Sequence, residues 1–398
     1  MKILVVCQYY YPEPVRIGDI CEELVKKGNE VTVITGIPNY PMGEIYNGYG
    51  FKKKRLENIN GVSVRRCFTI PRKKNMIMRF LNYYSFAISS TIACRKLNEK
   101  YDVVLVNQLS PIIMANGAIK YKNKNKKKML LYCLDIWPES LKVGGLTEKS
   151  LIFKYFHKVS KRIYKSCDKI LVTSKNFKNY LQKEFKIEDK TIGYLPQYAE
   201  NIFNVNDCKK EENETIDLMF AGNMGITQSL DTIIEAANKL QDEKKVYFHF
   251  VGNGIDYERI KNKVNTLKLN NVFFHGRKKI DEMPKYYSMA DAMLVTLSAE
   301  SNVSCTVPGK VQSYMAAGKP IIGAINGETR EIIEKSKCGF CGKADDVDEL
   351  VKNIKKFIRY KNKSELGKNS FEYYNKYYQK EKFINELLDS LYLLCKFE

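Results

Sequence analysis

Apolar and polar positions follow one another along the chain in a pattern that predicts alternating strands and helices. Short, nearly continuous apolar runs are typical of buried parallel strands, and the segments between them carry apolar residues at helical spacing. The first half has predicted strands at 2–7, 31–35, 62–64, 103–106, 129–133 and 170–173, and predicted helices at 17–28, 76–99 and 150–166. This alternation predicts an α/β fold with a parallel, doubly wound sheet.

The same pattern restarts after a polar, irregular stretch at 201–215, which has the composition of an interdomain linker. The second series has strands at 216–221, 247–251, 272–274, 292–296 and 321–323, and helices at 229–241, 255–267 and 381–395. We therefore predict two Rossmann-like domains, 1–200 and 201–380, with the C-terminal helix of 381–398 completing the first. Ligands are expected in a central cleft between them, at the carboxyl ends of the strands.

Charge is distributed unevenly between the predicted domains. The 398 residues include 66 Lys and Arg and 45 Asp and Glu, a net charge of +21. Residues 1–200 hold 36 basic and 17 acidic side chains, and residues 51–128 alone hold 19 and 3. Because the charge is so uneven, a uniform nucleic-acid-binding surface is disfavoured. An apolar, aromatic helix follows the basic run, and this favours a first domain that faces an anionic membrane through 51–128. The alternative is a solvated basic surface beside a buried helix.

Termini and cysteines narrow the class of protein further. The N-terminal apolar run is too short for a signal peptide, and no stretch reaches the length of a membrane span, so we expect a cytoplasmic protein, peripherally associated with the inner face of the plasma membrane. The eleven cysteines are scattered and are interpreted as reduced core residues. The single CxxC, Cys338 to Cys341, lacks further ligands nearby, so no metal or other cofactor is expected.

Polar and aromatic residues follow several of the first-half strands. The turn after the first strand leads to Gly18 at a helix start, which suits either an anion-binding helix N-terminus or a simple turn. Asn39 and Tyr40 follow the second strand. Asp135, Trp137 and Glu139 follow a strong apolar strand, where carboxylates can bind sugar hydroxyls and an indole can stack on a sugar. A structural role for the tryptophan is an equal alternative.

These segments, with five in the second half, resemble the GT-B glycosyltransferases of family 4, in particular the bacterial branch that builds capsule, O-antigen and exopolysaccharide. The second-half segments are Phe220–Gly225 with Gln228, Phe250–Gly254, Val272–Arg277, Met283–Ala292 and Val307–Ile322. The resemblance covers nearly the whole chain, and the last segment is the most specific. It implies a GT-B fold and a second domain that binds the nucleotide sugar.

The resemblance also implies roles for individual residues. Lys310 and Asp135 are the expected catalytic residues: the first neutralises a diphosphate and the second orients sugar hydroxyls. Arg277 is expected to neutralise charge or to stack on the base. The expected donor-binding residues are Gly222, Asn223, Gly225, Gln228, Arg277, Pro308, Ser313 and Glu328. The expected acceptor-binding residues are Gly18, Asn39, Tyr40, Trp137 and Glu139.

Three departures from the family pattern affect these assignments. Asn223 and Gln228 stand where many members have Arg and Lys. The usual pair of donor-site glutamates would fall on Cys305 and Ser313, unless an insertion makes Glu300 the first of them. Asp346-Val-Asp348 spells the metal-binding motif of another glycosyltransferase fold, but aspartates at a helix start are more simply helix caps.

The predicted function is therefore a retaining, metal-independent transfer of sugar from a nucleotide sugar, UDP-linked by preference, to a polyprenyl-diphosphate-linked saccharide. Two alternatives remain open. A nucleotide-sugar 2-epimerase of the same fold would release epimerised sugar without an acceptor. A basic nucleic-acid-binding protein would leave the second-half motifs without a role, and no nucleic-acid partner is expected.

Overall fold

The chain forms two compact units, Met1–Leu195 with Ile384–Glu398, and Pro196–Phe383. The structure is a computed structural model, and it describes residues 1–73, 75–211, 213–243, 245–299 and 306–396. Lys74 of the basic run and the candidate donor-site positions Glu300 and Cys305 lie outside the described residues. The division between the units falls after Leu195, five residues before the boundary at residue 200 that the sequence pattern predicts.

The first unit is built on an eight-stranded sheet with the order β3-β4-β2-β1-β5-β6-β7-β8. Seven strands are parallel, which confirms the predicted doubly wound sheet, and β3, a strand that the sequence pattern did not predict, pairs antiparallel with β4. The strands are β1 (Lys2–Val6), β2 (Glu30–Gly36), β3 (Leu56–Ile59), β4 (Val62–Cys67), β5 (Val103–Gln108), β6 (Lys128–Cys133), β7 (Lys169–Val172) and β8 (Ile192–Tyr194).

The helices of this unit connect the strands and cover the sheet. They are α1 (Ile17–Lys26), α2 (Met76–Lys96), α3 (Asn116–Asn125), α4 (Leu151–Lys165) and α5 (Lys175–Phe185), and the C-terminal helix α13 (Lys380–Lys396) adds its residues from Ile384 onward. Side-chain oxygens of Asn75, Ser150 and Ser174 cap α2, α4 and α5 by accepting from backbone N–H groups. In α13, Ile384, Leu387 and Leu391 are buried, as their helical spacing predicts.

The second unit has a six-stranded parallel sheet, ordered β11-β10-β9-β12-β13-β14, between two apolar clusters. The strands are β9 (Ile216–Ala221), β10 (Val246–Val251), β11 (Val272–Gly276), β12 (Ala292–Thr296), β13 (Ile321–Ala324) and β14 (Gly339–Gly342). The helices are α6 (Leu230–Lys239), α7 (Tyr257–Thr266), α8 (Met283–Met289), α9 (Gly309–Ala316), α10 (Glu328–Ser336), α11 (Val347–Arg359) and α12 (Lys363–Tyr377).

Strand order fixes where each unit can bind a ligand. The chain leaves β1 in one direction, toward β2 and β4, and returns beside β1 through β5; in the second unit β9 lies between β10 and β12 in the same way. In open α/β sheets ligands bind at the carboxyl ends of the strands at such a switch point. The candidate residues should therefore be sought after β1 and β5 in the first unit and after β9 in the second.

The helix-cap interpretation of the DxD sequence is confirmed. Asp346 precedes α11, and its Oδ1 accepts a hydrogen bond of 2.8 Å from the Glu349 N–H. Cys338 and Cys341 are both free thiols, as are the other described cysteines. Within the described ranges no group of three or more His, Cys, Asp or Glu residues could hold a metal ion.

Candidate active site

The glycine loop after β9 carries the candidate phosphate-binding groups of the second unit. The Gly222 N–H donates to the Val251 carbonyl at 2.9 Å and the Met224 N–H donates to the Asn253 carbonyl at 3.0 Å. These two amides are thus committed to holding the loop against the end of β10. No acceptor among the described residues contacts the amide of Asn223 or Gly225, which leaves those two donors for an anion.

Lys310 lies directly over this loop. Its Nζ donates to Gln228 Oε1 at 2.6 Å and sits 3.7 Å from the centre of the Phe220 ring. A Cβ added to Gly222 would lie 3.2 Å from Lys310 Cε, and Gly222 has φ of +144°, so glycine is what lets the lysine pack here. The predicted association of Lys310, Gly222 and Gln228 is therefore observed as direct contact.

Electrostatics make this lysine unusual among the described residues. No carboxylate within the described ranges forms an ion pair with it, and burial lowers the pKa of Lys310 from 10.5 to about 7. Its partners are a neutral amide oxygen and the negative face of an aromatic ring. A diphosphate placed against Lys310 would supply the missing negative charge and restore the charged form of the amine.

Helix α9 is held to the end of β9 by Tyr314, which is not among the predicted donor-binding residues. The buried hydroxyl of Tyr314 donates to the Ala221 carbonyl at 2.9 Å and accepts from the Ala221 N–H at 3.0 Å. Lys310 lies one helical turn before Tyr314, so this pair of hydrogen bonds fixes the lysine's height above the loop. Tyr314 acts on the site through Lys310, as a positioning residue.

The other predicted donor residues lie around α9, the end of β11 and the start of α10. Pro308 precedes the first residue of α9, and Ser313 is buried within it, with its hydroxyl 3.4 Å from Glu200 Oε2. Arg277 follows β11 and is exposed. Glu328 is buried as the first residue of α10. The structure brings Lys310, Gln228 and the glycine loop into contact, while Arg277 and Glu328 are in none of those contacts.

Asp135 follows β6 in the first unit, one strand beyond β5 in the sheet. One carboxylate oxygen accepts from the hydroxyl of Ser110, which follows β5, and the other accepts from the hydroxyl of Ser140. Burial raises the pKa of Asp135, although the hydrogen bonds from both serines and Trp137 act to lower it. Each carboxylate oxygen has a second lone pair, so a sugar hydroxyl can still be bound.

Trp137 is buried and donates to Ser110, the serine that holds Asp135, so its ring does not present a face for stacking. It is 2% exposed, its ring packs edge-on against Phe156 at 5.1 Å, and its Nε1 donates to Ser110 Oγ at 2.9 Å. The stacking predicted for the indole needs an exposed ring face, which this placement does not offer. Glu139 is also engaged, accepting from the Tyr180 hydroxyl at 2.9 Å and pairing with Lys142 at 2.7 Å.

Asn39 and Tyr40 form a loop that is organised by Glu13, a residue the sequence analysis did not select. Glu13 Oε1 accepts from the N–H groups of Asn39 and Tyr40, each at 2.8 Å, and Oε2 accepts from the Tyr10 N–H at 2.9 Å. Burial raises the pKa of Glu13 to about 7 against these backbone hydrogen bonds. The buried Asn39 side chain links this loop to the one after β4, accepting from the Arg72 N–H at 2.8 Å.

Gly18 lies at the second position of α1, with room beside it for a methyl group. An added Cβ would meet only Tyr11 Cβ, at 3.9 Å, and the backbone does not require glycine. Because alanine favours a helix over glycine by up to about 1 kcal/mol, this glycine is retained at a cost to stability. We expect a ligand to approach the start of α1 closely at this glycine.

We therefore expect Gly18→Ala to keep or raise the melting temperature and to lower the rate of the enzyme's reaction, measured by thermal unfolding and steady-state kinetics on the same preparation. Gly50→Ala is the control, because a Cβ there meets nothing within 4 Å. Full activity in Gly18→Ala would contradict a ligand at this helix start.

Two solved structures match this fold over nearly the whole chain. Sucrose-phosphate synthase from Thermosynechococcus elongatus superimposes with a TM-score of 0.76 at 16% identity, over 100% of this chain and 99% of that one. Anabaena Alr3699/HepE in complex with UDP superimposes with a TM-score of 0.71 at 14% identity, over 98% and 99%. The fold is that of a GT-B glycosyltransferase, as predicted.

Family models and curated relatives agree with the fold. The model described as Glycosyltransferase Family 4 matches residues 15–196, and Glycosyl transferases group 1 matches residues 203–373. The putative colanic acid biosynthesis glycosyl transferase WcaI of Escherichia coli K12 is 24% identical over 80% of this chain and 82% of its own. The probable glycosyltransferase WbjE of Pseudomonas aeruginosa is 25% identical over 69% and 71%. The chain belongs to glycosyltransferase family 4 and is a glycosyltransferase.

Proposed function

We propose that this enzyme transfers a sugar, with retention of anomeric configuration, from a nucleotide sugar to a lipid-diphosphate-linked saccharide in surface polysaccharide synthesis. UDP is the proposed nucleotide. The observation that carries the proposal is the partly buried Lys310 amine, without a carboxylate partner in the described ranges, against a glycine loop with two uncommitted amides. The name of WcaI, a colanic acid enzyme, and the UDP complex of HepE support the pathway and the donor.

The bonds, electrons and protons of the proposed sugar transfer balance without a metal or another cofactor. A bond forms between an acceptor hydroxyl oxygen and the anomeric carbon, and the bond from that carbon to the diphosphate oxygen breaks. The electron pair leaves with the nucleotide diphosphate, which takes the hydroxyl proton. Lys310 would stabilise the growing negative charge, and such electrostatic stabilisation usually contributes most to the rate of a reaction of this kind. Asp135 would hold a sugar hydroxyl in place.

Nucleotide binding should depend on pH through Lys310. Since burial has lowered its pKa to about 7, the free enzyme loses the ammonium as the pH rises above that value, while a bound diphosphate holds the proton on. We expect the Kd for UDP, measured by calorimetry, to rise about tenfold per pH unit between pH 7 and pH 9. Lys310→Met should bind more weakly with no such slope. Constant affinity of the unmodified enzyme over this range would contradict the donor site.

Membrane association is the remaining part of the proposal. Among the described residues no helix is long and apolar enough to cross a membrane. Helix α2 exposes Met76, Ile77, Leu81, Ile88 and Ile92, and α4, outside the predicted segment 51–128, exposes Leu151, Ile152 and Tyr155. The two helices touch through Phe80 and Phe156, whose rings are 6.2 Å apart. Exposed apolar residues beside the basic positions of α4 suit an anionic lipid surface.

Replacement of both Ile77 and Leu151 by glutamate should release the protein from liposomes that contain phosphatidylglycerol, measured by flotation. Both side chains are more than two-thirds exposed, at 73% and 83%, so folding should not change. Ile255→Glu, at an equally exposed position of the second unit (78%), should float like the unmodified protein. Undiminished flotation of the double variant would refute membrane binding through α2 and α4.

A further inference from the structure

Arg72 lies at the carboxyl edge of the first sheet, among the loops that carry the acceptor candidates. It follows β4, which runs parallel to β2, so its loop lies on the same edge as Asn39 and Tyr40. The Arg72 N–H donates to Asn39 Oδ1 at 2.8 Å. Arg72 belongs to the basic segment 51–128 that is expected to face a membrane, but its backbone is tied to the predicted acceptor loop.

Tyrosines surround the guanidinium group of Arg72. Its central carbon lies 5.5 Å from the centre of the Tyr40 ring and 5.9 Å from that of Tyr83. The Tyr9 and Tyr40 rings are 4.9 Å apart. We call Tyr9, Tyr40 and Tyr83 the tyrosine cluster. Arginine cannot lose its charge in a protein, so a permanent cation lies beside this cluster.

The Arg72 cation has no anionic partner among the described residues. Its Nε is buried and has no hydrogen-bond acceptor, and it forms no ion pair in those ranges. Arg66, a fully buried arginine of the same unit, shows the usual arrangement, whereas Arg72 is partly buried: the Arg66 Nε pairs with Glu57 at 2.7 Å, and another nitrogen donates to the Tyr11 carbonyl at 2.6 Å. A buried guanidinium with an unused donor is costly, unless a ligand completes it.

Glu13 is the acidic residue that holds the loop of Asn39 and Tyr40, and its carboxylate is already occupied by backbone groups. Both of its oxygens accept backbone N–H groups, at Tyr10, Asn39 and Tyr40. It forms no hydrogen bond with Arg72, so the arginine is left to meet an anion from outside the chain. Guanidinium forks and tyrosine hydroxyls are both donors to phosphate oxygens.

We propose that Arg72 and the tyrosine cluster bind a phosphate group of the acceptor substrate. The site would take a mono- or diphosphate ester, through two parallel N–H···O bonds from the guanidinium and one or more tyrosine hydroxyls. The inference rests on the proposed transferase function only in naming the acceptor as the source of the phosphate. Arg72 is then a substrate-binding residue, distinct from the lysine that meets the donor diphosphate in the second unit.

Calorimetry of the full-length enzyme with geranyl diphosphate tests this site, with Lys310→Met titrated in parallel to identify any binding at the second unit. We expect binding by the unmodified protein and an affinity at least tenfold lower in Arg72→Gln. Arg72→Lys, which keeps the charge and loses the fork, should lie between them. Lys73→Gln is the matched control: it removes the exposed neighbouring charge and should bind normally. Equal affinity in Arg72→Gln, or no binding by the unmodified enzyme, would overturn the proposal.

Inorganic pyrophosphate in a parallel titration separates the two sources of the anion. Tighter binding of geranyl diphosphate than of pyrophosphate supports a lipid-linked acceptor, whereas equal binding supports the same phosphate site with a non-lipid ester. If Arg72→Gln does not fold, Tyr83→Phe, which removes one hydroxyl and keeps the ring, is the second variant and should weaken binding of both compounds. Unaltered binding in that variant, together with unaltered binding in Arg72→Lys, would overturn the site.

Titration with UDP alone distinguishes failure of this site from failure of the proposed function. If UDP binds and geranyl diphosphate does not, the acceptor site is wrong and the donor assignment stands. If geranyl diphosphate binds through Arg72 and no nucleotide binds, the transferase proposal fails and the phosphate site stands. Once transfer is measured, Arg72→Lys should raise KM for the acceptor and leave KM for the donor unchanged, a split that a general loss of packing would not produce.

Discussion

Lys310→Met is expected to lower kcat by about 10³-fold, because the variant loses the one cation in contact with the glycine loop among the described residues while keeping nearly the same side-chain volume. The fold should not suffer. Burial lowers the pKa of Lys310 in the folded protein from 10.5 to about 7. Between pH 7 and pH 10.5 the unfolded chain therefore binds the ammonium proton more tightly than the folded protein does, so the buried amine does not stabilise the fold. Removing the amine should therefore leave the melting temperature at pH 7 unchanged or higher.

Lys285→Met is the control for this substitution. Lys285 is an exposed lysine on α8 of the same unit, so its loss changes net charge equally without touching the loop. We expect normal kinetics from it. Turnover within a few-fold of the unmodified enzyme in Lys310→Met would show that the leaving diphosphate is stabilised by other groups.

Asp135→Asn should lower kcat/KM by about 10²-fold, because a misplaced sugar hydroxyl loses the alignment that the reaction needs. The variant should fold normally, since the hydroxyls of Ser110 and Ser140 can turn to meet an amide. Steady-state kinetics with both substrates varied would measure the effect. Ser140→Ala, which leaves the carboxylate in place with one supporting bond fewer, should show a smaller loss.

Asp189→Asn provides the comparison for Asp135. The Asp189 carboxylate is 71% exposed and pairs with Lys178 in the same unit, so the substitution removes one negative charge without changing the hydrogen bonds of Asp135. It should leave kinetics unchanged. If Asp135→Asn and Asp189→Asn behave alike, Asp135 has no part in the reaction.

Buried strands were the part of the fold that the sequence predicted well, because their apolar runs are nearly continuous. The strands it missed lack that signal. β3 has an alternating, partly exposed edge sequence, β8 has only three residues, and β14 is bounded by Gly339 and Gly342. All three are sheet-edge strands whose pairing depends on their neighbours, so tertiary context decides them.

The candidate site was predictable where a motif places residues on one loop, as with Gly222 and Gln228. It was not predictable where distant segments meet. Tyr314 holds Ala221 across 93 positions of sequence, and Ser110 reaches Asp135 across 25. Trp137 illustrates the opposite limit: its place after a strand was correct, but its burial depends on Phe156 of α4, which no local pattern reveals.

Transfer of labelled sugar tests the central claim most directly. The enzyme would be incubated with radiolabelled UDP-sugars and a bacterial lipid extract, and the label that enters the organic phase would be counted. A parallel sample would be treated with mild acid before counting, to show whether the lipid-bound label is acid-labile. We predict label from one UDP-sugar in an acid-labile lipid fraction, with the anomeric configuration of the donor retained, and none with Lys310→Met. Label that remains in the nucleotide sugar, or appears as free epimerised sugar without any lipid, would contradict the account.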